Sequence, residues 1–208
     1  MTTHCGHFVK LVFGLLLSVV LSAGCDRAPS RLDLPEYKGT AGQEAIAQYD
    51  SNKDGKINGD ELKKSAALNS ALANIDANKD GAITGEEIDA RVQQWRASRV
   101  ALMPVCCKVL LNGKPVAKAR VTFEPEAFLG NSVHAATGVT DEDGVAIMSI
   151  SAEHRSNPAL TGVAPGFYKI IAEVENERHT AGPHTGCEIA PNASWTGEGI
   201  VPVEFTKQ

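Results

Sequence analysis

Two acidic loops of twelve residues, 50–61 (DSNKDGKINGDE) and 76–87 (DANKDGAITGEE), match each other position by position. In the first, side-chain oxygens stand at positions 1, 3, 5, 9 and 12, on Asp50, Asn52, Asp54, Asn58 and Glu61; in the second they stand on Asp76, Asn78, Asp80, Thr84 and Glu87. That spacing suits calcium, a hard cation that takes six to eight oxygens at about 2.3 to 2.6 Å from a tightly wound loop aiming alternate side chains at one centre. Position 6 must take a left-handed turn that glycine adopts at little cost, and Gly55 and Gly81 stand there. Position 7 offers its backbone carbonyl, so Lys56 and Ala82 serve in spite of their side chains. Ile57 and Ile83, at position 8, are β-branched and suit a short antiparallel bridge between the loops.

On these residues the loops resemble the EF-hand family. The resemblance implies two calcium ions, with Glu61 and Glu87 as bidentate closing ligands and Asn58 and Thr84 acting through water. A surface turn rich in Asp, Asn and Gly that binds nothing has no reason to repeat both the glycine and the closing glutamate. A dockerin-like assembly module also uses paired calcium loops, but those loops normally close with aspartate and lack a full entering helix. Each loop here carries three carboxylates, and Lys53, Lys56 and Lys79 dilute the negative charge. This argues against the tightest class of site and for the range of extracytoplasmic modules, roughly 10⁻⁴ to 10⁻³ M. A structural role for calcium is favoured over a sensor role, because Met103 is the only methionine near the loops and a sensor exposes a Met-rich groove.

The elements that hold the loops are legible on either side. Thr40, followed by Gln43 and Glu44, predicts a capped helix over 41–49 entering the first loop. Ile88, Val92 and Trp95 recur at helical intervals and predict an amphipathic exit helix over 86–98, with Trp95 in the core. The loops begin only 26 residues apart, so the segment 62–75 must hold short helices, with Leu62, Ala66, Leu68, Leu72 and Ile75 available for a shared apolar face.

The first 25 residues read as an export signal: Lys10 precedes an apolar run over 11–23 that is short for a bilayer span. Leu21-Ser22-Ala23-Gly24-Cys25 resembles the bacterial lipoprotein signal, although Ser22 stands where that family prefers a large aliphatic residue. The resemblance implies lipidation of Cys25, an exported protein and a membrane anchor at the cell envelope. Residues 26–39, with Pro29 and Pro35, read as a tether. Net charge is −5 and basic residues do not cluster with aromatics, so nothing suggests a nucleic-acid partner and none is expected. Cys106, Cys107 and Cys187 fall in the mature body, and an odd count in an exported chain suggests one bridge, Cys187 with Cys106 or Cys107, and one free thiol.

Near Pro104 an Ala-rich and charged stretch gives way to Val, Thr, Gly and Pro, which divides the chain into residues 40–99 and 104–207. The expected fold class is therefore α+β in two domains, a small helical EF-hand pair followed by an all-β sandwich. Strands are predicted over 105–111, 119–124, 139–140, 145–150, 167–174 and 200–205. Asp141-Glu142-Asp143-Gly144 has the composition of a hairpin turn, and no glutamate follows to close a third calcium loop. The turn and strand series Asn112-Gly113-Lys114-Pro115, Val121-Thr122-Phe123, Thr140 to Ala146 and Pro165-Gly166-Phe167-Tyr168 resembles the carboxypeptidase regulatory-like group of transthyretin-like sandwiches. That resemblance implies an accessory module without catalytic machinery. An undetermined protein or glycan partner would bind at the segments 126–134, 153–164 or 177–195, all read as loops. An enzyme is the rival class, yet no HExxH helix and no phosphate-binding glycine loop is present, and His134, His154, His179 and His184 are scattered over predicted loops.

Overall fold

The computed structural model describes residues 33–174, 177–179, 185–193 and 200–205. The predicted signal, Cys25 and the first part of the predicted tether lie outside the described residues. Among the described residues no helix is long and apolar enough to cross a membrane.

Helix α1, Ala41–Tyr49, enters the first loop and has the predicted bounds. Thr40 does not cap it as expected: its hydroxyl donates to the Glu44 carboxylate at 3.0 Å and leaves the backbone donors alone. The first loop ends in strand β1, Lys56–Asn58, and the short helix α2, Gly59–Leu62. Helix α3, Ala66–Ile75, starts at Ser65, whose Oγ accepts from the Leu68 N–H at 3.2 Å. It buries Ala67, Leu68, Ala71 and Ile75, so the apolar face is built largely as predicted, with Ala67 in place of Ala66 and Leu72 half-buried. Strand β2, Ala82–Thr84, pairs antiparallel with β1 and sets Ile57 opposite Ile83, the predicted bridge. Helix α4, Gly85–Ser98, leaves the second loop and buries Ile88, Val92 and Trp95. Helices α1 and α4 cross so closely that a Cβ on Gly42 would lie 2.0 Å from the Gly85 carbonyl oxygen, a contact only glycine permits.

The rest of the chain is strand-rich: β3 Val105–Leu111, β4 Lys114–Pro115, β5 Arg120–Pro125, β6 Ala136–Val139, β7 Val145–Ile150, β8 Gly166–Val174, β9 Glu177–His179, β10 Gly186–Ile189 and β11 Ile200–Phe205. They form one curled sheet in the order β10-β8-β5-β6-β7-β3-β11, antiparallel except where β11 runs parallel to β3. The sheet is continuous through β7, which pairs residues 145–148 with β3 and residues 149–150 with β6. Alternation turns Val105, Cys107 and Val109 of β3 inward with Val121 and Phe123 of β5 and Val201, Val203 and Phe205 of β11. The turn 141–144 is a hairpin, held by the Asp141 carboxylate accepting from the Asp143 and Val145 N–H groups. The fold is α+β in two parts.

Several expectations are corrected. Cys106, Cys107 and Cys187 are all free thiols, so the expected bridge is not formed. Cys107 and Cys187 do both point into the core, while Cys106 is half-buried on the opposite face of β3. Burial, with the Cys106 thiol beside it, pushes the Cys107 thiol up to about 12, and Cys187 is raised for the same first reason with Cys107 nearby. The segment 177–195 is no free loop. It contains β10, buried along its length against β8 on one side and under α3. A Cβ on Gly186 would meet the Ala67 amide nitrogen at 2.2 Å, so glycine lets the strand pass beneath the helix. The described part of the tether is docked: Tyr37 is buried, its hydroxyl donates to the Pro165 carbonyl at 2.8 Å, and the Lys38 N–H bonds the Leu129 carbonyl at 3.2 Å.

Candidate metal centre

The local folding of each loop follows from its acidic first residue. Asp50 Oδ1 accepts from the Lys53 N–H at 2.6 Å and Oδ2 from the Gly55 N–H at 2.9 Å; Asp76 repeats this with Lys79 at 2.6 Å and Gly81 at 2.8 Å. Gly55 and Gly81 have φ of 83° and 81°, the left-handed turn expected at position 6. The third and fifth positions lock together, since the Asp54 N–H donates to Asn52 Oδ1 at 2.8 Å and the Asp80 N–H to Asn78 Oδ1 at 2.9 Å.

The closing glutamates have two roles in this geometry. Glu61 Oε1 accepts from the Ser51 N–H at 2.8 Å and the Asn52 N–H at 3.1 Å, while Oε2 accepts from the Asn58 N–H at 3.3 Å. Glu87 Oε1 accepts from the Ala77 N–H at 3.1 Å and Oε2 from the Thr84 N–H at 2.9 Å, and the Thr84 hydroxyl accepts from the Glu87 N–H at 3.3 Å. Each glutamate therefore sits at the third position of the following helix, caps it, and ties it back to the start of its loop.

In the first loop the carboxylates of Asp50, Asp54 and Glu61 each place an oxygen within 4.8 Å of the others, a donor set that fits a hard divalent cation. The Lys56 N–H, followed by the Asn52 side-chain amide, holds the Asp54 carboxyl below the usual carboxylate range, so it is ionised and ready to ligate. Asn58 and the Lys56 carbonyl belong to the same loop as its ninth and seventh positions. In the second loop Asp76, Asn78, Asp80, Ala82, Thr84 and Glu87 repeat the sequence pattern, but among the described residues only the carboxylates of the first loop converge within 4.8 Å. Lys56 reaches across from the first loop and places Nζ 2.8 Å from Asp80 Oδ2, and this ammonium is the first cause of a lowered Asp80 pKa.

The two parts of the fold meet on polar as well as apolar contacts. The Trp95 ring meets Phe167 edge to face at 4.6 Å between centroids and Tyr37 at 5.6 Å in a tilted contact. Two glutamates of the β-rich half are buried beneath the helices. Glu126 accepts from the Tyr49 hydroxyl at 2.7 Å and the Ser65 hydroxyl at 2.7 Å. Glu188 accepts from Arg91 Nε at 2.5 Å, Trp95 Nε1 at 3.1 Å and the Asn74 side-chain amide at 2.8 Å. Nothing in the sequence pattern marked either glutamate.

The segments 126–134 and 153–164 come together as the walls of a cleft of about 1040 Å³ that also reaches the end of α4. Its lining includes Leu34, Arg96, Arg155 and Leu160, and the His134 and His154 rings stack with centroids 3.7 Å apart and planes 8° from parallel. Those two histidines, read as scattered, are neighbours in space. His179 and His184 lie where no side chain is described.

The EF hand family matches residues 43–64 and 68–91, stretches that contain both loops in full. No curated protein and no solved structure matches the chain.

Proposed function

We propose that this chain is a non-enzymatic, calcium-binding lipoprotein exported to the cell envelope, in which two calcium ions brace a helical pair against an accessory β module. The observation that carries the calcium reading is the convergence of the Asp50, Asp54 and Glu61 carboxylates inside a loop that the EF hand family matches. When bound, calcium would be held in the first loop by Asp50, Asn52, Asp54, the Lys56 carbonyl, Asn58 and Glu61. The second ion would be held by Asp76, Asn78, Asp80, the Ala82 carbonyl, Thr84 and Glu87. The ion supplies positive charge at the one place where each loop concentrates carboxylates, and so joins the start of the loop to the helix that leaves it.

A structural role is favoured by the packing. Ile88, Val92 and Trp95 of α4 are buried in a core continuous with the β-rich half, so opening the helices would strip apolar surface from both. Kinship of residues 104–207 with carboxypeptidase regulatory-like modules, lipidation of Cys25 and a protein or glycan partner in the cleft belong to this proposal. Calorimetric calcium titration of the full chain tests it. Two sites of sub-millimolar to millimolar strength in the wild type, both lost in the Glu61→Gln/Glu87→Gln double variant, are expected; no heat at millimolar calcium would remove the reading.

A further inference from the structure

The two buried glutamates of the β-rich half are distributed in register with the two loops. Tyr49 immediately precedes Asp50, and Ser65 lies four residues past Glu61; both donate to Glu126 at 2.7 Å. Asn74 lies two residues before Asp76, and Arg91 lies four residues past Glu87; both donate to Glu188, at 2.8 and 2.5 Å. Each glutamate thus grips the entry and the exit of one loop; Ser65 is also the cap of α3, at the end of that helix remote from the second loop.

We infer that Glu126 and Glu188 are positioning residues for calcium, one for each site, and that through them the β-rich half sets the affinity of the EF-hand pair. This rests on the calcium reading above. Binding requires the first and twelfth residues of a loop to converge on one ion. A chain free to sample other arrangements pays for that convergence out of its affinity, whereas a chain already held there does not. A carboxylate has two oxygens and can accept from both flanks at once. Glu126 uses one oxygen for each flank, Oε2 for Tyr49 and Oε1 for Ser65. Glu188 takes the exit-side Arg91 and Trp95 on Oε1 and the entry-side Asn74 on Oε2. Burial matters here: Glu126 is 9 % and Glu188 4 % exposed, so water competes weakly for these bonds. An apolar pair of the same size would glue the halves together but could not hold two flanks at a fixed separation.

The coupling runs both ways by linkage. Calcium in the first loop tightens the hold on Glu126 and so on the segment 126–134 that follows it, including the buried Phe128 and Leu129 and the cleft residue His134.

The test is site-resolved calcium titration of the full chain. Glu87→Gln isolates the first site and Glu61→Gln the second. Adding Glu126→Gln is expected to weaken the first site roughly five- to tenfold and leave the second within about twofold; Glu188→Gln is expected to do the reverse. Because Glu188→Gln leaves the Arg91 charge buried without its partner, Arg91→Met/Glu188→Leu is run beside it, and Tyr49→Phe and Ser65→Ala are the gentler probes of Glu126. Circular dichroism must show each variant folded. Hydrogen exchange at the Phe128 and Leu129 amides should slow on calcium binding in the wild type and not in Glu126→Gln. Equal weakening of both sites by each variant, or no weakening in folded variants, overturns the inference while calcium binding stands. A wild type that takes up no calcium removes both.

Discussion

Lys56 Nζ lies 2.8 Å from Asp80 Oδ2, so the seventh residue of one acidic loop places its charge on the fifth residue of the other. The ammonium is paired with a carboxylate that the second loop would offer its ion, so a cation arriving there competes with it. The sites should therefore fill in order, the first loop ahead of the second. Lys56→Gln keeps the backbone carbonyl that the first loop uses and removes the competitor. Since the pair is solvent-exposed, the gain at the second site should be modest, roughly two- to fivefold, measured by titration in the Glu61→Gln background. Lys53→Gln, which removes an equal charge from a side chain without this ion pair, should not reproduce a gain confined to the second site.

Trp95 joins the halves by its ring and by its N–H. Trp95→Phe keeps most of the ring packing against Phe167 and loses the bond to Glu188, which should cost about 1 to 3 kcal/mol in urea denaturation. Trp95→Ala should cost about 3 to 5 kcal/mol, because it also removes the buried ring that packs on both Tyr37 and Phe167.

The stacked pair His134 and His154 predicts an acid-sensitive cleft. Burial first, then the neighbouring His154, lowers the His134 pKa, opposed by Glu153. A base whose folded pKa is depressed contributes stability that is fully present above its unfolded pKa and lost as pH falls toward the folded value. The denaturation midpoint should accordingly drop as pH is lowered from the ordinary histidine value of about 6.5, and His134→Gln should flatten that slope.

Cys25→Ser tests the anchor. In cell fractionation the wild type is expected with membranes and the variant in the soluble exported fraction; a variant that stays with membranes would sink the lipoprotein proposal.

What could be read in the residues was whatever depends on neighbours along the chain. The position-6 glycines, the bounds of α1, β3, β7 and β11, and the Ile57 to Ile83 bridge all follow from local spacing. Strand β10 escaped because Gly186-Cys187-Glu188-Ile189 is buried at every position and so carries no alternation, with a charged residue in its middle. Glu188 reads as a surface residue until Arg91 is placed beside it, 97 residues away in sequence. Glu126 and the stacked histidines escaped for the same reason, being defined by partners on remote segments. The expected disulfide failed on a different point: it was inferred from an odd cysteine count, and two thiols that share a core, as Cys107 and Cys187 do, do not have to be bonded.

The margins of the curled sheet bear on how copies of this protein can share a crowded space. At one end β10 lies beneath α3, and at the other β11 carries Pro202, which has no N–H to offer a further strand. An edge strand lying beneath a helix and another that lacks a backbone donor within it both make edge-to-edge growth less favourable, so crowding favours discrete particles over ribbons.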